Sequence, residues 1–338
     1  MSIVVTGASG FIGSTLVPML AAHSNVVAID RRPAHRDLRG VSAARSIQGE
    51  LTQPGDDILD ALHEADAVIH LAGCPGVRDA APHVEFRRYR DNVAATRMVL
   101  DSTRFRTPVT VASSSSVYGG ARLLQGLPQQ SAGSISLRPS RESDPVRPRG
   151  GYATSKVTAE RVCRERAQAG RSVLIVRPFT VLGQGQRTDM ALTQWALEAQ
   201  RTGAVTVLGS PRRTRDFTDI TVVADTLIRL LFGGVRGTVN LGTGRGQSLA
   251  ELARASGAAV GVPEPELHVV QAHRAEVSHT LADTDRLTSL VGPMPATDLY
   301  DVARRAIASP PPLNAATRQA PGIDHDEPLC APIDCITR

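Results

Sequence analysis

Tyr152 and Lys156 stand four residues apart in the stretch GGYATSK (150–156), and Lys156 is the only lysine among 38 basic side chains. On a helix that spacing puts both side chains on one face. A free tyrosine, with a pKa of about 10, is a poor base at neutral pH. A nearby cation favours the phenolate, so an ammonium beside a phenol suits proton handling. Arginine would not substitute, because a planar guanidinium hydrogen-bonds with a different geometry.

A second set of residues is suited to holding a phosphate. Gly7, Gly10 and Gly13 in TGASGFIGSTL are three residues apart. The first allows a tight turn, the second lets backbone approach a pyrophosphate, and the third lets helix pack on strand. The free N–H groups of the helix that follows then meet the phosphates. Asp30 ends the next apolar run and suits an adenosine ribose, where it would repel a 2′-phosphate. That favours NAD over NADP, although Arg31 and Arg32 follow directly and offset the repulsion.

These residues need a scaffold of alternating strands and helices. Strands are expected at Ile3 to Thr6, Val26 to Ile29, Ser46 to Gln48, Ala67 to His70, Val109 to Ala112 and Val173 to Val176. Helices are expected at Phe11 to His23, Asp57 to His63, Val84 to Ser102 and Tyr152 to Ala169. Such alternation predicts an α/β fold, a doubly wound parallel (Rossmann) sheet. Residues 1–180 form this dinucleotide-binding domain in the expected division. Shorter elements with Gly and Pro breaks over 181–308 predict a smaller lobe, mainly substrate-binding, and 309–338 read as a Pro-rich tail.

Composition narrows the class. With 41% hydrophobic residues the chain can bury a large core, and its longest apolar runs are too short to span a membrane. The N-terminus runs straight into a strand with no basic segment before it, so a cytoplasmic protein is expected. Cys74, Cys163, Cys330 and Cys335 lack metal-site spacing and are expected to be plain thiols, with no metal bound. Net charge is +5, yet arginines are scattered and aromatics make up only 3%, which argues against nucleic acid and fits an anionic small substrate.

Ordered landmarks from Ile3 to about Leu290 then carry a resemblance: TGASGFIG, HLAG (70–73), Asn92, SSSSVYG (113–119), YATSK, RPF (177–179), RDF (215–217) and NLGTG (240–244). The chain resembles the extended short-chain dehydrogenase/reductase family, the NAD-dependent nucleotide-sugar epimerases and dehydratases. By position, the resemblance makes Tyr152 the catalytic acid/base, Lys156 its partner, and Ser114 the residue that hydrogen-bonds the reacting sugar hydroxyl. It sets NAD against Gly7, Gly10, Phe11, Ile12, Gly13, Asp30, Arg31, Glu50, Leu51, Leu71, Ala72, Asn92, Tyr152, Lys156 and Pro178.

The serine run separates subfamilies. Ser115 and Ser116 occupy the positions where 4,6-dehydratases carry Asp and Glu, and serines cannot supply that acid/base chemistry. Decarboxylases of the family also carry Glu at the Ser116 position. RPFTVLGQGQRTDMA (177–191) looks like RFFTVYGPWGRPDMA of UDP-glucuronate 4-epimerases, departing from it at Pro178, Leu182 and Gln184. In those enzymes the threonine and the small hydroxyl residues surround the sugar carboxylate, which makes Ser115, Ser116 and Thr180 candidate carboxylate donors. Arg187, Arg215 and Arg274 fall at nucleotide-facing positions and would neutralise a diphosphate.

The expectation is therefore UDP-glucuronate/UDP-galacturonate 4-epimerisation through a 4-keto intermediate. Alternatives are a neutral-sugar 4-epimerase, a nucleotide-sugar 4-ketoreductase, or, from another class, a non-catalytic NAD-binding regulator, which the retained Tyr–Lys pair argues against. The family usually forms homodimers through the helices expected at Val84 to Ser102 and Tyr152 to Ala169.

Overall fold

The computed structural model describes residues 1–33, 44–76, 81–123, 137–272 and 276–308. The β-branched runs form inner strands whose side chains are covered on both faces, as in Ile3, Val4 and Val5, all 0% exposed, while the edge strand Ala44–Gln48 leaves Arg45, Ser46 and Gln48 exposed. Seven strands build one parallel sheet. From one edge to the other they are Gly237–Leu241, Val173–Pro178, Val109–Ala112, Ala67–His70, Ser2–Thr6, Asn25–Asp30 and Ala44–Gln48. Strand order reverses between Ser2–Thr6 and Ala67–His70, so a crevice opens at their carboxyl ends.

Helices cover both faces. Phe11–Ala21 and Ile220–Phe232 pack together over Leu16, Leu20, Val223 and Leu227. On the other face Asp56–Glu64, Ala95–Ser102 and Gly150–Gln168 bury Leu62, Val99, Leu100 and Val162. The six strands expected from the sequence form within two residues of their expected limits. The seventh, Gly237–Leu241, and the helix Ile220–Phe232 come from the stretch expected to form mainly the second lobe, so the chain returns to the first sheet after residue 180. Around them Leu192, Trp195, Phe217, Leu252 and Val302 make a separate core. Strand Thr180–Leu182 pairs there with Thr214–Asp219.

The helix expected over Val84 to Ser102 departs from a continuous α-helix. It runs as Val84–Arg88, a π-helical turn Tyr89–Ala94, and an α-helix again over Ala95–Ser102. The wider turn carries the Asn92 side chain into the core, where it accepts from the Cys74 amide (2.8 Å) and donates to Ser155 Oγ (2.8 Å). Inserted turns of this kind gather at functional sites. Thr96 donates its hydroxyl to the Asn92 carbonyl (2.7 Å), so its oxygen accepts from His70 Nε2 (3.1 Å). His70 Nδ1 then accepts from the Thr6 hydroxyl (2.6 Å).

That chain suits a neutral imidazole, and burial, helped by the charge of Lys156, holds His70 down to about 3. An unfolded histidine protonates near 6.5. Between those values the unfolded state binds the extra proton, so stability falls as pH falls through the window, by at most about 1.4 kcal/mol per pH unit. His70→Gln is expected to flatten the dependence of the urea midpoint on pH below 6.5. An unchanged slope in the variant would assign the acid lability to other groups.

Candidate active site

The glycine loop sits at the crevice. Gly7 has φ +71°, and a Cβ there would lie 2.6 Å from the Ala72 amide nitrogen. A Cβ on Gly13 would fall on the Gly7 carbonyl and lie 2.7 Å from that of Ala8. Gly10 is the N-cap of the helix that opens with Phe11 and Ile12, and has no side chain to occupy its first N–H groups. Asp30 accepts from the Ser9 amide (3.0 Å) and the Arg32 amide (2.9 Å) at the strand end. Arg31 turns to Asp91 (2.9 Å) and Glu50 (3.7 Å), which offset its charge. Leu51 is buried beyond Glu50, and the backbone of Leu71 and Ala72 packs on Gly7. The cradle fits a dinucleotide with a free 2′-hydroxyl.

Across the crevice the helix Gly150–Gln168 presents Tyr152 and Lys156, as their spacing requires. Ser114 caps the turn Ser115–Tyr118 by accepting from the Ser116 amide (3.1 Å), which leaves its hydroxyl proton free to favour the Tyr152 phenolate. Burial raises the Tyr152 phenol above its usual value, against the Ser114 hydroxyl and the positive fields of Arg187 and Arg88. The Lys156 ammonium donates to the Ala112 carbonyl (2.9 Å), and burial lowers it to about 8. The Ser116 hydroxyl oxygen is buried with no partner among the described residues, and buried hydroxyls normally have one.

Beneath the serine turn lies a buried ion pair that the sequence reading did not find. Arg177 and Glu160 each have 1% of their side chain exposed, and they meet through two bonds of 2.8 and 2.7 Å. Glu160 also accepts from Ser113 (2.6 Å) and Arg164 (2.5 Å). Arg177 donates to the Tyr118 hydroxyl (2.8 Å), which donates to Asn240 (2.6 Å). Burial works against the Glu160 carboxylate, but Arg177, Ser113 and Arg164 hold it below its usual range. Desolvation pushes Tyr118 up to about 12, so it stays a phenol. The one available signal was the position of Glu160, four residues beyond Lys156 on the same helix.

Pro178 ends the strand Val173–Pro178 and Thr180 opens the next, both half-buried. Arg187 holds Asp189 with two bonds, and its field reaches Tyr152. Arg215 donates to the carbonyls of Thr214, Ser278 and Val277 and approaches Glu276 at 3.5 Å, so it anchors the strand Thr214–Asp219 to the chain beside it. Asp216, another residue the sequence reading missed, accepts from the amides of Thr243, Gly244 and Ala282 and shapes the NLGTG loop. Arg274 and the tail 309–338 lie outside the described residues. Among the described residues no cluster could hold a metal, no helix is long and apolar enough to cross a membrane, and Cys74 and Cys163 are free thiols.

A doubly wound sheet with a glycine loop at its switch point and a Tyr–Lys pair facing it defines a dinucleotide-dependent enzyme that works on a hydroxyl group. Residues 3–242 match the NAD dependent epimerase/dehydratase family, and the chain belongs to it. It is an NAD-dependent enzyme acting on nucleotide sugars. An uncharacterized UDP-glucose epimerase, YtcB of Bacillus subtilis (strain 168), is 30% identical over 91% of this chain and 97% of its own. The structure of MoeE5 in complex with UDP-glucuronic acid and NAD is 32% identical, with a TM-score of 0.76 over 91% of this chain and 98% of that one. TunA, an NAD-dependent NDP-hexosamine 5,6-dehydratase of tunicamycin biosynthesis, is 26% identical, with a TM-score of 0.75 over 91% and 97%.

Removing one member of a buried ion pair strands the other, at a cost of about 3–5 kcal/mol. Glu160→Gln should lower stability by that order in a urea titration. Glu160→Gln with Arg177→Met should recover part of the loss, whereas a double variant as unstable as the sum of the singles would show that the two charges are not coupled.

Proposed function

We propose that the chain catalyses reversible 4-epimerisation of a nucleotide hexuronate, with UDP-glucuronate and UDP-galacturonate as its pair. The observation that carries the reading is the Ser114–Ser116 turn. The Ser114 hydroxyl favours the Tyr152 phenolate, the Ser116 hydroxyl is buried without a partner among the described residues, and serines stand where acid/base chemistry at C5 and C6 needs carboxyl groups. MoeE5 is solved with UDP-glucuronic acid and NAD and also with UDP-glucose and NAD, so it is compatible with a uronate and keeps a neutral sugar as the alternative.

Bound NAD supplies a hydride acceptor that later returns the hydride. Tyr152 takes the proton from the sugar 4-hydroxyl, and Ser114 orients that hydroxyl. Lys156 holds the nicotinamide ribose. Ser115, Ser116 and Thr180 donate to the sugar carboxylate, while Arg187, Arg215 and Arg274 serve the diphosphate. A 4-keto uronate is a β-keto acid that loses carbon dioxide when its carboxylate aligns with the carbonyl π system. Donors that fix the carboxylate out of alignment suppress this loss, a job the otherwise unpartnered Ser116 hydroxyl suits. Exposed Phe86 and Tyr89, 66% and 59% accessible on the helix before Asn92, support a homodimer formed through that face.

The direct test is incubation of the purified protein, without added cofactor, with UDP-glucuronate, UDP-glucose and dTDP-sugars, following products by NMR. UDP-galacturonate is the expected product, and turnover only of UDP-glucose or only with added NADH would replace the reading by a neutral-sugar epimerase or a ketoreductase. Tyr152→Phe and Lys156→Arg should each remove most activity, by a hundredfold or more given the usual worth of positioned acid/base groups, about 10²–10⁴. Thr180→Ala should slow epimerisation and release UDP-pentose. Wild-type rates with no pentose would remove Thr180 from the carboxylate site.

A further inference from the structure

The strand Asn25–Asp30 ends on a carboxylate and is followed at once by two arginines, Arg31 and Arg32. At such a strand end an acidic residue accepts from the free 2′-hydroxyl of NAD, whereas a nearby arginine accommodates the 2′-phosphate of NADP. Here both guanidinium groups are already committed. Arg32 folds back over the glycine loop, where it donates to the Ser9 carbonyl (2.5 Å) and lies 3.4 Å from Asp30. Arg31 reaches to the π-helical turn, with one nitrogen 2.9 Å from Asp91 and another 3.7 Å from Glu50.

Asp91 is the enclosed member of this set. Its side chain is 5% exposed in the turn Tyr89–Ala94, while that of Arg31 is 44% exposed. Arg90 gives its Nε to one carboxylate oxygen of Asp91 (2.7 Å) and Arg31 meets the other, so each oxygen has its own cation. An anion held away from water keeps its field, because solvent and salt screen it least. Arg31 can turn to a 2′-phosphate only by leaving Asp91 half-paired, and a buried carboxylate tolerates that poorly. Charge balance acts in the same direction. Asp30, Glu50 and Asp91 offset Arg31, Arg32 and Arg90, so these groups present no surplus cation to a phosphate monoester.

We propose that Asp91 is a specificity residue for the cofactor: by holding Arg31 in an ion pair it withholds a guanidinium that would otherwise receive a 2′-phosphate, and so enforces NAD against NADP. It adds a second selector to Asp30. Asp30 repels the phosphate, and Asp91 removes the cation that would compensate. The proposal concerns the adenosine end of the cradle and does not depend on which sugar is turned over.

The test is isothermal titration of the full chain, freed of nucleotide carried through purification, with NAD and with NADP. Asp91→Asn keeps the size of the side chain and removes its charge. It is expected to raise affinity for NADP about tenfold, the worth of one charge-assisted hydrogen bond, and to leave that for NAD within about threefold. Combining Asp91→Asn with Arg31→Ala should abolish the gain, since the released guanidinium is what the phosphate meets. Arg31→Ala alone leaves Asp91 paired with Arg90 and should shift the ratio of the two affinities by less than about threefold, which keeps the test decisive even where Asp91→Asn does not fold. Arg36 and Arg39 lie outside the described residues, and comparison with and without Arg31 separates their contribution from its own. An unmoved NADP affinity in Asp91→Asn, a gain that survives removal of Arg31, equal losses of both cofactors in Asp91→Asn, or a tenfold loss of NADP binding in Arg31→Ala alone would overturn the proposal.

Discussion

The ion pair between Arg177 and Glu160 is the constraint on which the site depends. Each charge loses its water at a cost of several kcal/mol, and such burial is tolerated only where the remaining donors and lone pairs are met. Here they are met from every side. Arg177 lies on the strand Val173–Pro178, Glu160 on the catalytic helix, Ser113 at the start of the serine run, and Tyr118 at its end. The Arg177 guanidinium also stacks 4.8 Å from the Tyr118 ring centre. Asn240 on the seventh strand closes the set through Tyr118. A displacement of any member leaves an uncompensated charge or donor, so the network admits one arrangement. That arrangement fixes the serine turn beside the helix that carries Tyr152.

The network gives one physical account of landmarks scattered through the chain. Tyr118 of SSSSVYG stands 59 residues from Arg177 of RPF and 122 from Asn240 of NLGTG, yet the three share consecutive hydrogen bonds. RDF acts in the same way one layer out. Asp216 collects three backbone amides and a hydroxyl from the Thr243–Gly244 turn and Ala282, and this holds the end of the seventh strand. Neither carboxylate faces a substrate in order to matter. Both organise backbone that does.

Local pattern made the sheet legible from the sequence. Runs such as Ile3 to Thr6 and Val109 to Ala112 are strands because β-branched residues buried on both faces leave little alternative. The glycine loop was legible because its spacing carries a geometric demand, and the structure meets it with contacts that no side chain could share. Partners far apart in sequence were not legible. Nothing local announces that Gly237–Leu241 returns to the first sheet, since strand order depends on which edge remains open. The π-helical turn was hidden for a related reason. Its Thr96 and Asn92 bond to His70 and Cys74, groups brought by other elements, so periodicity alone predicted an unbroken helix. Asp91 was one acidic residue among many until its burial against Arg31 distinguished it.

The lone lysine can be understood in the same terms. Lys156 lies under the Ala112 carbonyl and beside Gly73, where a Cβ would stand 3.4 Å from its nitrogen and 2.5 Å from the Asn92 side chain. The slot is sized for a compact ammonium, and a guanidinium would have to displace Gly73 or Asn92, whose side chain holds the Cys74 backbone. Arginine carries the other charges of the active site because those positions need a forked donor or a charge that persists when enclosed, such as Arg177 against Glu160. Lysine is kept at the one place where a small cation must fit beneath a carbonyl, close to the phenol, and where burial leaves it able to lose its proton at about pH 8. The division between the two basic residues follows from the shape of each site.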